Sequence, residues 1–169
     1  YACSVAVALA FKDLVNINEA ELEKVALPFG GGFGRLRNTC GAVSGMGIII
    51  GLLFTEPNGG PENKLAVYEM VQTVAKRFEE KHNTIICRQH LEQIQVPVEI
   101  GGKPEERTPA YYQKRACADY VETAAEVLED FLKEKEVYLP EGVIDVKVLE
   151  KNKNNVSVNG DIIEKAQNR

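Results

Sequence analysis

The reading turns on residues 30–54, GGGFGRLRNTCGAVSGMGIIIGLLF. Gly30, Gly31, Gly32 and Gly34 form a turn that leads through Arg35 and Arg37 to Cys40. From Ala42 to Phe54 every residue except Ser44 is apolar or glycine. A membrane span needs about 20 such residues, so this shorter run reads as a buried core helix, and membrane insertion is not expected. Gly41, Gly45, Gly47 and Gly51 fall inside the stretch RLRNTCGAVSGMGIIIGLLF. Each glycine costs a helix interior about 1 kcal/mol against alanine, so the four require a reason. Close approach of another backbone or of a bulky inorganic group supplies one. Helices packing through small faces supply a plainer one.

Upstream, Cys3 to Val15 reads CSVAVALAFKDLV and is apolar on nearly every side, which predicts a buried helix. Asn18 caps a second helix, NEAELEKVALPF, with acidic residues in its first turn and Ala20, Leu22, Val25, Ala26 and Phe29 as its inward stripe. Pro28 and the glycines after it end that helix. Downstream, EPNGGPEN is a turn with Pro61 placed to open a helix over Glu62 to Lys81. Leu65, Tyr68, Val71, Ala75 and Phe78 recur along it at helical steps. A short element, NTIICRQHLEQI, carries Cys87, and a Gly/Pro-rich charged loop follows from Pro97 to Arg107. Thr108 and Pro109 open one long final helix with the stripe Tyr112, Ala116, Tyr120, Ala124, Leu128 and Phe131. Beyond Glu136 the pattern changes to β-branched alternation around Val143 to Val148. The expected fold is all-α: a bundle of about five helices forming a four-cysteine domain over 1–135. An extension over 136–169 would wrap the body or pair into a small β-hairpin.

Composition narrows the function. The chain has 169 residues, 44% of them hydrophobic and 27% charged, ample for a hydrophobic core. Net charge is −5, and no basic run is interleaved with aromatics. Gripping phosphate backbones requires clustered Lys and Arg, so nucleic acid is not an expected partner. The chain opens at Tyr1 without a Met, which leaves an upstream leader open. No secretory signal is visible, and a cytoplasmic setting is expected.

The four cysteines, Cys3, Cys40, Cys87 and Cys117, are widely spaced. A secreted disulfide scaffold packs its cysteines densely because it lacks a core. Here they read more readily as reactive thiols or metal ligands. Cys3 begins one helix, Cys40 lies near the start of another, and Cys117 falls in the first turns of the last. A thiol at the positive end of a helix dipole is favoured as thiolate. Arg35, Arg37, Arg88 and Arg115 are near three of these cysteines in sequence and could balance thiolate charge, although a solvated face is the ordinary place for any one of them. No Cys-x-x-Cys pair exists, so neither a thioredoxin-like motif nor a zinc ribbon is indicated. Four thiolates brought from separate helices would select zinc, copper(I) or an iron–sulfur cluster. Four thiols buried simply as small apolar side chains are the plain alternative.

The order Cys3, GGGFGRLRNTCGAVSG, IICRQHL and RACADYVETAAEVLEDFL resembles the family of redox-active proteins named for a C, GCAxxG, C, C pattern. The likeness spans about Cys3 to Leu132, with all four cysteines in order. One departure is that Thr39 precedes the second cysteine while Gly41 and Ala42 follow it. The resemblance implies a redox role, in some members within larger electron-transfer proteins where a similar domain accompanies haem. This chain has no Cys-x-x-Cys-His for covalent haem. The leading expectation is electron transfer or redox sensing at an iron–sulfur cluster held by Cys3, Cys40, Cys87 and Cys117. Dithiol–disulfide exchange, or zinc in a closed structural site, is the alternative, and whether the domain is an enzyme stays open. Gly34, Arg35, Gly41 and Arg88 are expected around the sulfurs. A redox partner protein is expected, with a homodimer as a candidate assembly.

Two weaker signals remain. GGGFGR lacks the strand, the Lys-Ser/Thr ending and the third glycine spacing of phosphate loops, and reads as a tight turn. His90 follows Cys87 by three, a pair that can ligate zinc, but with His82 the only other histidine the signal is thin.

Overall fold

The computed structural model describes residues 1–106 and 108–137. Among these the chain forms seven α-helices and no strand beyond an isolated pairing of Thr39 with Ile86. The all-α expectation holds, with two helices more than the sequence periodicity separates. The hairpin expected around Val143 to Val148 lies outside the described residues.

Helix α1 (Cys3–Ala10) is the centre of the molecule, with Val5 to Ala10 and Phe11 all buried. The sequence reading carries this helix on to Val15, but it stops at Ala10. Lys12 and Asp13 cannot continue into an apolar interior, so the chain tightens into a single 3-10 turn over Lys12–Leu14. Lys12 then pairs with Glu19 at 2.9 Å. Helix α2 (Glu19–Ala26) is capped as expected: the Asn18 side chain accepts from the Glu21 amide at 2.9 Å. The Ser4 hydroxyl donates to the Ala26 carbonyl at 2.8 Å and ties α2 to the centre.

Helix α3 (Gly41–Phe54) packs most extensively against α1. Its glycines divide into two kinds. A Cβ built on Gly45 would sit 2.7 Å from the Val7 Cβ and 2.9 Å from the Ser4 carbonyl, so close approach of α1 explains that glycine. Around Gly51 a Cβ would meet nothing within 4 Å.

Helix α4 (Gly60–His82) opens at Pro61 and ends on Asn83 in the left-handed region, φ 65°. Helix α5 (Cys87–Gln93) is short. The single long final helix of the sequence reading is in fact two: α6 (Pro109–Gln113) and α7 (Cys117–Glu134). The break follows from Arg115, which is buried with its guanidinium on Glu105 and over the Tyr111 ring, 4.7 Å from its centroid. A continuous helix would not hold that side chain there, and the amide ladder restarts with Tyr120 donating to Ala116.

α1 is enclosed by α2, α3 and α7, while α4 closes the outer side against α3 and α7. Arg77 bridges α4 to α7 through both oxygens of Glu134, at 2.9 and 2.7 Å. Leu9, Phe11, Met46, Ile49, Ile50, Phe78, Leu128 and Leu132 are fully buried in the shared core. Each such side chain contributes roughly 1.5–3 kcal/mol on leaving water. No helix among the described residues is long and apolar enough to cross a membrane.

Candidate functional site

Each of the four cysteines stands where a helix begins. Cys3, Cys87 and Cys117 are the first residues of α1, α5 and α7, and Cys40 is the residue that precedes α3. The sequence placed Cys117 only loosely in its helix; the break at Arg115 makes it the opening residue. All four are thiols, with Cys40 buried and the others partly so.

Local structure explains the convergence. The Thr39–Ile86 pairing lets the Cys40 amide donate to the Ile85 carbonyl and the Cys87 amide to the Asn38 carbonyl, both at 2.7 Å. Gly41 abuts α1: a Cβ there would lie 3.3 Å from the Cys3 Cβ. Gly32, at φ 73°, lies against Cys87, where an added Cβ would come within 2.7 Å of the cysteine Cβ. That left-handed conformation and that closeness together demand glycine.

The four thiols act on one another electrostatically. Burial first, then the charge of Cys3, pushes the Cys40 thiol far up, and Cys87 adds to it. The amides of Ala42 and Val43 favour the Cys40 thiolate, though neither forms a complete cap bond to its sulfur. Cys117 is held protonated chiefly by its hydrogen bond to Cys3, then by burial, with Cys40 and Cys87 acting in the same direction. Cys87 is also raised by burial, but Arg37 opposes the shift. The Arg37 guanidinium is buried, donates through Nε to the Glu99 carbonyl at 2.9 Å and lies 3.9 Å from the Cys87 sulfur. Arg115 pulls weakly the same way.

The expected surrounding residues divide. Gly41 is in the site as described. Gly34 turns the loop at φ 56° with only the Pro28 carbonyl near it, 3.9 Å from where a Cβ would stand. Arg35 directs its hydrogen bonds to Gly101 and Glu99, and the Arg88 side chain is exposed. Arg37 and Arg115 are the arginines that act on a thiol, and proximity in sequence could not say which of the four would.

Behind the thiols lies an aromatic group that periodicity reads only as core. Tyr120, one turn after Cys117, is pushed up to about 12 by burial and then by Cys117, Cys40 and Cys87. His90, one turn after Cys87, stacks on Tyr120 with ring centroids 4.2 Å apart. Phe78 and His82 complete the cluster. The signal for these was available: three-residue steps on a helix share a face, so Tyr120 and His90 follow the cysteines inward.

Among the described residues no three Cys, His, Asp or Glu side chains, in the rotamers seen, stand close enough to hold one ion between them. The donor chemistry nonetheless suits a thiophilic group: four thiols from four helix starts repel one another as thiolates, and a cationic centre removes that repulsion.

The family model described as "Putative redox-active protein (C_GCAxxG_C_C)" matches residues 1–131, a span that takes in all four cysteines. The chain belongs to this family. No curated protein and no solved structure matches it. This C_GCAxxG_C_C protein therefore carries the family's redox description on a helical body, with its four cysteines each at or just before the start of a helix.

Proposed function

We propose that this domain holds an iron–sulfur cluster on Cys3, Cys40, Cys87 and Cys117 and serves electron transfer or redox sensing. One observation carries the reading: four cysteines remote in sequence all stand at helix starts, and their thiols act on one another. When bound, a cluster supplies a centre that gains and loses one electron. The protein's part is to hold and tune it. Cys3, Cys40, Cys87 and Cys117 would hold it as thiolates. Arg37 and Arg115 offset thiolate charge, and the amides of Ala42 and Val43 add donors at Cys40. Burial of Cys40 limits water and sets the potential together with those donors. A redox partner protein would exchange electrons with the cluster, and a reducing, cytoplasmic setting suits a site that must keep its thiols.

The hydrogen bond from Cys117 to Cys3 favours a second reading, dithiol–disulfide exchange. In it the two thiols form one S–S bond and lose two electrons and two protons, while a partner's disulfide takes both and becomes two thiols. Zinc in a closed site is a third, non-redox use of the same donors.

The test is reconstitution under anaerobic conditions with ferrous iron and sulfide, followed by metal and sulfide analysis. Visible absorption that bleaches on reduction, present in wild type and lost in Cys40→Ser, is the expected result. A colourless protein that takes up no iron overturns the cluster reading. Stoichiometric zinc would then mark the structural use, and a Cys3–Cys117 peptide in oxidised protein would mark the disulfide couple.

A further inference from the structure

His90 is 2% exposed, and neither of its ring nitrogens has a hydrogen-bond partner. Among the described residues these are the only buried side-chain nitrogens or oxygens so placed. The other buried polar side chains are all engaged. Ser4 donates to Ala26, Arg37 to Glu99 and Arg115 to Glu105, Thr84 accepts from Ile86, and Glu122 is likewise partnered. A buried polar group left unsatisfied costs about 1–3 kcal/mol, and an apolar ring of similar shape would fill this place without that cost. Phe78 and His82 meet the His90 ring nearly edge-on, with centroids 5.8 and 6.2 Å away. A weak N–H···π contact of that kind serves one nitrogen at most.

The position of the ring says what the missing partner is. His90 shares a face of α5 with Cys87, three residues on. Its stacking partner Tyr120 shares a face of α7 with Cys117 and senses Cys117, Cys40 and Cys87. The His90–Tyr120 stack thus joins α5 to α7 on the helix faces that also carry Cys87 and Cys117. Burial keeps the imidazole neutral, with a pKa lowered to about 4, so at physiological pH it carries one N–H donor and no charge.

We propose that His90 is a further protein contact of the thiol-bound cluster, donating its ring N–H to a sulfur of the loaded site and thereby tuning its potential. The proposal rests on the cluster reading above. His90 acts through the sulfur and is a positioning residue. Hydrogen bonds to cluster sulfurs stabilise the more negative, reduced state, so their loss lowers the potential.

The experiment compares reconstituted wild type, His90→Phe and His90→Gln by redox titration and by pulsed EPR of the reduced cluster. In His90→Phe the potential is expected to fall, with a tenfold change in the one-electron equilibrium corresponding to about 59 mV. His90→Gln, which keeps an N–H donor, is expected to recover most of the shift. Wild type should show coupling of the reduced cluster to an imidazole nitrogen or its exchangeable proton. An unchanged potential in His90→Phe, with the cluster intact, overturns the role of His90 and leaves the cluster reading standing. Should His90→Phe fail to fold, absence of that coupling in wild type overturns it equally. Wild type that forms no cluster removes both.

Discussion

Thr39 and Ile86 form an isolated antiparallel pairing that, with the Arg88 amide donating to the Arg37 carbonyl at 3.0 Å, sets Cys40 beside Cys87. The cysteine amides flanking it donate at 2.7 Å on both sides, so backbone hydrogen bonds join the start of α3 to the start of α5. The thiols therefore do not depend on their own side-chain contacts to stay near each other.

The turn before that pairing is the most sensitive point. Gly32→Ala places a Cβ within 2.7 Å of the Cys87 Cβ and 2.8 Å of the Asn38 amide nitrogen, at a φ that alanine resists. The strained conformation alone costs about 1–3 kcal/mol. A urea melt should show at least that loss, and thiol or metal assays should show Cys87 displaced. An unchanged melt would mean that the turn adapts freely.

The two kinds of glycine in α3 predict opposite outcomes. Gly45→Ala forces α1 and α3 apart and should destabilise by about 1–3 kcal/mol, the range for overpacking. Gly51→Ala adds a methyl in open space and should stabilise by about 0.5–1 kcal/mol through helix propensity. Denaturant melts of the two variants should shift in opposite directions.

Arg37 distinguishes Cys87 from the other thiols. Removing its charge in Arg37→Met should raise the Cys87 pKa further, since the guanidinium opposes the rise that burial imposes. In apoprotein the alkylation rate of Cys87 at mildly alkaline pH should fall, measured by peptide mass spectrometry. A rate that stays the same or increases would place the control of that thiol elsewhere.

Stability of the reduced apoprotein should fall on both sides of neutrality. Cys40, Cys87 and Cys117 have pKa values raised by folding, so above about pH 8.5 the unfolded chain releases protons that the folded one keeps. Their stabilising effect is full below that pH and is lost as pH rises. His82 and His90 have lowered values, so below about pH 6.5 the unfolded chain binds protons that the folded one refuses. Their effect is full above that pH and is lost as pH falls, for His90 down to about 4. Melting midpoints measured across pH should peak between these limits, and Cys40→Ser should flatten the alkaline side.

Much of the fold is legible locally. Asn18, Pro61 and Thr108 mark helix starts because a cap or a fixed φ acts over one turn, and each stands at a start in the structure. The breaks at Ala10 and Arg115 are not legible, because they answer to where the apolar interior ends at Lys12 and to the placing of one guanidinium between Glu105 and Tyr111. In the site, the cysteines themselves can be picked out from their order and motif. Arg37 could not be told from Arg35, since three left-handed residues, Phe33, Arg35 and Arg37, decide where each side chain points.

Taken alone, the amino-acid order determined that this chain is helical, that one helix is buried on all sides, and that four cysteines matter. Those follow from apolar periodicity and residue type, which act within a few turns. Only the tertiary structure decided that the four thiols act on one another, that Arg37 rather than its neighbours attends Cys87, and that His90 is buried with unmet nitrogens. Each of these depends on how α1, α3, α5 and α7 dock, and docking is set by contacts between segments far apart in the chain.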